Sequence, residues 1–517
     1  MAIGPRPRVS GVALETLRAV TNCELVDESG DAVLITGITH DSRAVAQGDL
    51  YAALPGFNTH GAEFIPSARD AGAVAILTDS AGRDRAVAAG LPVLVADDPR
   101  SIVGALAAEI YGHPSRSMLV VGITGTNGKT TTSYLLDAAF RSAGLKTGVI
   151  GTVGTRIGDE VIPTSRTTPE ATDVHALLAV MHERGVNAVS MEVSSHALRL
   201  GRVDGVTFAA VGFTNLTEDH LDFHDGMDDY FDAKATLFSS TRARHAAICV
   251  EDPWGELLVE RAQAAGLDVT TFALEATADW SVEGVTSLPG GSQVEAIGPA
   301  SDRVSFVVHL PGSFNATNAL GALALATLTG VQPEVAARGI SACGGVPGRM
   351  ERVRDPDPGR GLVVFVDYAH TPDAVERAII AAREGVTGRI VVVLGAGGDR
   401  DRAKRPHMGL AAARLADVVI VTDDNPRSEP AAEIRAAVLH GTIGVESIDV
   451  FDIADRRAAI EHAVASAHHG DVVLVLGKGH EQGQDVHGVI TPFDDRVVVA
   501  EVLAAAVDGA DIRGSQS

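Results

Sequence analysis

"SMLVVGITGTNGKTTT" (residues 117–132) is the stretch whose reading decides the fold. A short apolar run ends in a glycine-containing turn, and a Lys-Thr pair opens the helical stretch "TTSYLLDAAFRSAG". Strand, loop, Lys-Thr and helix in that order make a phosphate loop. Gly125, Asn127 and Gly128 let backbone N–H groups turn toward an anion, Lys129 adds a point charge, and the helix N-terminus adds its dipole. The hydroxyl of Thr130 is placed to reach Mg²⁺. Ile123 stands where the general pattern has glycine, so "GTNGKT" is a variant form. The segment Gly125, Thr126, Asn127, Gly128, Lys129, Thr130 and Thr131 is therefore expected to hold the phosphates of ATP. "GAGGDR" (395–400) is not read as a dinucleotide fingerprint, because Arg400 takes the place of the last glycine and no helix follows directly.

Outward from this loop the pattern repeats. "GVNAVSMEVSS", "FAAVGFTNL" and "HAAICVE" are short continuous apolar runs, as parallel strands buried on both faces require. Further on, "LVVFVDYAH", "RIVVVLGAGGDRD", "DVVIVTDDNPR" and "DVVLVLGKGHE" each place a polar or glycine-rich loop after an apolar strand. Helical stretches such as "AVERAIIAARE" and "MGLAAARLA" lie between them. In an open parallel sheet such loops gather at the carboxyl edge, where ligands bind. Asp367, Tyr368, His370, Arg400, the Asp424–Arg427 loop, Lys478 and Glu481 are thus expected to face one crevice. Pro426 ends any ladder and stiffens the turn that carries Arg427.

At 517 residues the chain is too long for one core. Polar Gly/Pro stretches at "YGHPSRS" (111–117) and "CGGVPGRMERV" (343–353) divide it into about 1–115, 116–344 and 345–517. The expected fold class is α/β in three domains, the second a phosphate-loop ATPase with a mainly parallel sheet and the third Rossmann-like. With 42 Lys plus Arg against 67 Asp plus Glu, the net charge of −25 argues against nucleic acid or an anionic membrane as partner. Cys23, Cys249 and Cys343 make no CxxC pair, which fits a reduced cytoplasmic compartment. No segment reads as a signal peptide or a membrane span.

The phosphate loop, "MEVSSHAL", "TNLTEDHLDFH", "DAKATLF", "GSFNATNALGA", "PGRME", "VDYAHTPD" and "DDNPR" follow one another in this order. Together they resemble the Mur ligase family over about residues 36–496, and within it the branch that adds meso-diaminopimelate. The resemblance implies a UDP-sugar domain, a central ATPase and a C-terminal domain that binds the amino acid. It implies peptidoglycan synthesis: ATP-dependent ligation of meso-diaminopimelate to the D-Glu of UDP-N-acetylmuramoyl-L-Ala-D-Glu through an acyl phosphate. A monomer acting on small molecules is expected. The alternatives are a related ligase taking L-lysine or LL-diaminopimelate, a folylpolyglutamate synthase, or a nucleotide-binding regulator without ligase activity.

The same resemblance implies residue roles. Glu192 would hold Mg²⁺ together with Thr130. His220 would be a ligand of a second Mg²⁺. Lys234 would be carbamylated and would complete that second site, whereas alone it reads as a helix-surface lysine. Asn318, Arg349 and Asp367 would meet adenine and ribose. Ser42 and the loop "GFNTHG" (56–61) would meet the uridine diphosphate, and Thr167, Thr168, Ser194 and Arg202 the muramoyl peptide. Arg166 stands where many relatives have Asn, and Leu200 where some have Gln. Arg400, Asp424, Asn425, Pro426, Arg427, Gly477 and Glu481 would form a pocket for the distal zwitterion of diaminopimelate, since a planar guanidinium grips a carboxylate with two hydrogen bonds.

Overall fold

The computed structural model describes the chain apart from residues 1–4, 27–32, 57–58, 163, 165, 222, 289, 300, 302, 385 and 515–517. Phe57 and Asn58 of the expected uridine loop lie outside the described residues. The architecture is α/β in three domains, each built around its own mainly parallel sheet.

The largest sheet has eight strands. Its centre is Leu119–Thr124, flanked in parallel by Ala188–Glu192 and Phe208–Phe213. The apolar run of the phosphate-loop strand is buried on both faces, and helix Lys129–Ser142 covers one of them together with helices Ser313–Leu328 and Pro333–Ala342. Glu192 pairs in register with Ile123, and Phe213 with Thr124. Three strands therefore end side by side, which brings the phosphate loop, Glu192 and the Thr214–Thr217 loop to one edge.

The C-terminal sheet runs Glu351–Val353, Val363–Asp367, Val472–Leu476, Ile390–Leu394, Val418–Val421, Asp449–Asp452, with only the first strand antiparallel. Its four apolar strand sequences are the ones read above, and the loops after them do lie at one edge. An N-terminal sheet runs Glu24–Val26, Val93–Val95, Ala75–Thr78, Asp49–Ala52, Gly37–Thr39.

One element was not anticipated. Ser281–Leu288, Gly291–Ile297 and Arg303–Val308 form an antiparallel sheet. It packs alternate residues Val294 and Ala296, and Val304, Phe306 and Val308, with Trp280 against helix Ser313–Leu328. The alternation is the mark of a sheet with one dry face.

Candidate active site

The phosphate loop borders a cavity of about 380 Å³. Its walls come from both the central and the C-terminal sheets: Asn318, Arg349, Asp367, Tyr368 and His370 face the loop, with Phe272 and Phe314 supplying apolar surface. Hydrogen bonds cross between the domains here. Asn127 Nδ2 donates to Asp373 Oδ2 at 3.1 Å, and an Arg349 guanidinium nitrogen donates to Thr130 Oγ1 at 3.1 Å.

The loop's shape depends on Gly128, which has φ of +88°. A Cβ there would also lie 2.3 Å from Asn318 Oδ1. Asn318 thus closes directly over the turn, and any side chain at 128 meets both a strained backbone and an occupied space. Gly128→Ala is expected to weaken nucleotide binding at least about tenfold, equivalent to about 1.4 kcal/mol. Calorimetric titration with ADP checks this; unchanged affinity would remove Gly128 from the site.

Beneath the loop, Glu192 is fully buried. Its Oε2 accepts from Thr130 Oγ1 at 3.0 Å and from Thr152 Oγ1 at 2.9 Å, and its Oε1 accepts from the Thr152 backbone N–H at 2.8 Å. Lys129 Nζ donates to the carbonyls of Gly125 and Thr126, at 2.9 and 2.8 Å.

Lys234 is 1% exposed, not a surface lysine. Its Nζ donates to Gly125 O at 2.8 Å and lies 4.3 Å from the centre of the Tyr230 ring. Two amines, those of Lys129 and Lys234, therefore share one carbonyl. Burial first, and the neighbouring Lys129 charge second, push the Lys234 amine well below its ordinary range. Tyr230 precedes Lys234 by one helical turn in Met227–Ala235, and its hydroxyl lies 3.2 Å from Thr126 Oγ1. Sequence reading missed Tyr230, although the i, i+4 spacing was there to find it. It also missed Thr152, which carries no motif.

His220 takes a left-handed backbone, φ +57°, and its ring stands edge-on to His196 with centroids 4.8 Å apart. Among the described residues no group of three His, Cys, Asp or Glu side chains converges as a ready metal site. The donors that do converge are the Thr130 hydroxyl and the Glu192 carboxylate. Both are hard oxygen donors, which suits Mg²⁺ held by few protein groups and completed by phosphates and water.

Asp367 accepts from the backbone N–H groups of Met350 and Ala369, at 2.6 and 2.7 Å, while burial raises its carboxyl above the usual range. His370 Nδ1 lies 2.7 Å from Tyr368 O, and burial lowers the imidazole to about 4. The ring is thus neutral, with Nδ1 as its donor.

On the N-terminal side, Thr168 Oγ1 donates to Glu192 O at 2.9 Å and accepts from Ser194 N–H at 3.1 Å. Ser194 Oγ caps helix Ser195–Arg199, and Thr167 Oγ1 lies 3.1 Å from Thr152 Oγ1. Arg202, Arg166 and Arg100 all pair with the one carboxylate of Glu170. Ser42 lies on the turn after Gly37–Thr39, between the ion-paired Asp41 and Arg43.

The Asp424–Arg427 loop is held by more than its proline. Arg427 N–H donates to Asp485 O at 3.0 Å, and His487 N–H donates to Arg427 O at 2.7 Å, so a hairpin of Gly483–Val486 and Val489–Pro492 clamps the turn. Arg427, at φ +51°, donates its guanidinium to Gly398 O at 2.6 Å. Asn425 Nδ2 donates to Glu481 Oε2 at 2.6 Å. Gly477 must lack a side chain, since its Cβ would stand 2.6 Å from Asp424 Oδ2. Arg400 is exposed on the neighbouring loop and donates to Asp399 O at 3.3 Å.

Three family profiles match the chain: "Mur ligase family, catalytic domain" over residues 34–111, "Mur ligase middle domain" over 123–326, and "Mur ligase, glutamate ligase domain" over 348–479. Fold and site together define an ATP-dependent acid–amino-acid ligase. The chain belongs to the Mur ligase family. It is 51% identical over 507 residues to the UDP-N-acetylmuramoyl-L-alanyl-D-glutamate--2,6-diaminopimelate ligase of Streptomyces avermitilis, covering 96% of this chain and 98% of the relative. The enzyme of the same name from Corynebacterium glutamicum is 48% identical, with 91% of this chain and 92% of the relative covered. A solved structure of a ligase so named superposes with a TM-score of 0.68 at 30% identity, covering 96% of this chain and 99% of that one.

Proposed function

We propose that the protein ligates meso-diaminopimelate to the D-Glu of UDP-N-acetylmuramoyl-L-Ala-D-Glu at the expense of ATP, in the cytoplasm, as a monomer, within peptidoglycan synthesis. The observation that carries this reading is the loop Asp424–Arg427. It holds a guanidinium on a doubly clamped turn, and its neighbour Asn425 is hydrogen-bonded to the carboxylate of Glu481. Cation and anion side by side suit a substrate terminus that carries both an ammonium and a carboxylate. The relatives' names agree with this substrate.

The substrates are spread over three domains, with boundaries near residues 115 and 344. Ser42 and its neighbours receive the uridine diphosphate. Thr167, Thr168, Ser194 and Arg202 receive the muramoyl peptide, and Arg166 with Arg100 balances Glu170 beside them. Gly125–Thr131, Asn318, Arg349 and Asp367 seat ATP. The glutamyl carboxylate attacks the γ-phosphorus, ADP leaves, and the resulting acyl phosphate is an acyl donor where the free carboxylate is not. The amine of diaminopimelate then adds to that carbonyl, and phosphate leaves as the amide forms. Lys129 neutralises phosphate oxygens during the first step.

Thr130 and Glu192 fit one Mg²⁺, and His220 with a carbamylated Lys234 fits a second. Bound there, the metal ions would neutralise the two anions that must approach each other. Lys234 is suited to carbamylation because its amine is buried and disfavoured as an ammonium. Its nitrogen adds to CO₂, loses a proton to solvent and becomes an anionic chelator.

The test is a panel of meso-diaminopimelate, LL-diaminopimelate, L-lysine and L-glutamate, each supplied with UDP-N-acetylmuramoyl-L-Ala-D-Glu and ATP, with product mass recorded. A product of the diaminopimelate mass is expected. Lysine or glutamate incorporated at the same rate overturns the reading.

A further inference from the structure

Lys478 lies at the end of strand Val472–Leu476 and is completely buried. Its Nζ meets three acceptors: Gly483 O at 2.6 Å, Asn425 Oδ1 at 3.0 Å and Glu481 Oε2 at 3.2 Å. An ammonium has three N–H donors, and all three are used. Asn425 Oδ1 also accepts from the Asp485 backbone N–H at 3.0 Å, so its amide can turn only one way, with Nδ2 toward Glu481. Glu481 Oε2 thus takes two donors, while Oε1 has none among the described residues and remains open to a ligand.

This arrangement bears on charge. Lys478 is ion-paired with Glu481 at 3.2 Å, while Arg427 faces Asp399 on the neighbouring loop. Beneath them Arg456 and Asp495, both fully buried, cancel each other while Arg456 holds Leu476 O at 2.9 Å. With Lys478 in place the Glu481 charge is balanced before any ligand arrives. A lone ammonium therefore meets a carboxylate already neutralised, whereas a terminus bearing both charges can give its ammonium to Glu481 Oε1 and its carboxylate to Arg427.

We propose that Lys478 is a specificity-determining residue: by neutralising Glu481 from beneath, it makes the pocket accept a zwitterionic side-chain terminus and refuse a purely cationic one. This rests on the amino-acid pocket assigned above. Lys478 positions and balances groups that touch substrate and does not touch it itself. The sequence reading places Lys478 among the groups that face the crevice, whereas its side chain is sealed beneath Glu481 and does not reach the surface.

The experiment uses the full chain with ATP and UDP-N-acetylmuramoyl-L-Ala-D-Glu, and measures kcat/KM for meso-diaminopimelate and for L-lysine. In Lys478→Met, Glu481 is left uncompensated, and the diaminopimelate-to-lysine ratio is expected to fall at least tenfold through a gain toward lysine. The double variant Lys478→Met/Glu481→Gln removes both charges, and its lysine activity should return to the wild-type level or below. A merely structural Lys478 predicts instead that Lys478→Met loses activity toward both amines in parallel, with no gain toward lysine for the second substitution to remove. Should Lys478→Met not fold, the wild type decides by competition. L-2-Aminopimelate, which has the distal carboxylate without the ammonium, should inhibit diaminopimelate ligation at a concentration at least tenfold below that of L-lysine. Equal inhibition overturns the proposal, as does an unchanged ratio in a folded Lys478→Met. A wild type that does not ligate diaminopimelate at all would instead overturn the substrate reading.

Discussion

Lys234→Ala is expected to lower the ligation rate at least about 100-fold, the scale on which removing one electrostatic stabiliser of a transition state acts. The side chain is buried beneath the phosphate loop, against Tyr230 and Gly125 O. Its loss empties a space and costs some stability, of the order of 1–3 kcal/mol for a buried group. Thermal unfolding separates that cost from the rate effect, since a folded but inactive variant is the expected result. The proposed carbamate has its own signature. Burial and the Lys129 charge lower the amine's hold on a proton, which favours the free amine that CO₂ requires. As pH falls through that lowered value the amine takes a proton and the carbamate is lost. In CO₂-depleted buffer, activity should therefore fall most on the acid side and return with bicarbonate. In the Ala variant bicarbonate should do nothing, while formate or acetate restores part of the rate by standing in for the missing anion. Full activity of Lys234→Ala, or indifference of the wild type to CO₂, would count against this role.

Arg427→Ala should raise the diaminopimelate KM at least about tenfold. Truncating one partner of a buried, hydrogen-bonded charge pair costs about 2–5 kcal/mol, much of it from the substrate carboxylate left alone, and each 1.4 kcal/mol is a decade. The guanidinium is half-buried, and its hydrogen bond to Gly398 O aims it. The backbone clamp from Asp485 and His487 does not involve the side chain, so the loop should survive the substitution. KM values for ATP and the UDP-dipeptide should stay within about twofold, because none of the residues assigned to those ligands lies on the Asp424–Arg427 loop. Arg427→Lys should recover little, since an ammonium cannot reproduce the planar fork. Steady-state kinetics with each substrate varied in turn decides it; a uniform loss across all three would mean that Arg427 supports the fold and does not read the substrate.

Much of this molecule is legible in its sequence. The parallel sheets were readable because strands buried on both faces have to be apolar at every position, as "LVVGIT" and "VVLVL" are. The loop edge followed from topology, since parallel strands end together. The sheet between Ser281 and Val308 was written in its alternation but passed over, a period of two being weaker than an unbroken apolar run.

The candidate site divides along the same line. Local chemistry declared the phosphate loop, because glycine, lysine and the helix start are consecutive in the chain and act within a few residues of one another. The Asp-Asn-Pro-Arg turn was equally plain, its stiffness being partly its own. What the chain order could not express was environment. Lys234 alone reads as a surface lysine and Lys478 as a crevice-facing one, yet the first is sealed against Gly125 O and the second is locked among Asn425, Glu481 and Gly483. Thr152 and Tyr230 belong to no motif and matter only because Glu192 and Thr126 are brought to them. Burial, and with it the price of a charge, is set by groups distant in sequence. The sequence by itself therefore determined the elements, their order and the chemical kinds at the strand ends, while tertiary structure alone decided which charged groups are dry, which are paired, and which are left open for a ligand.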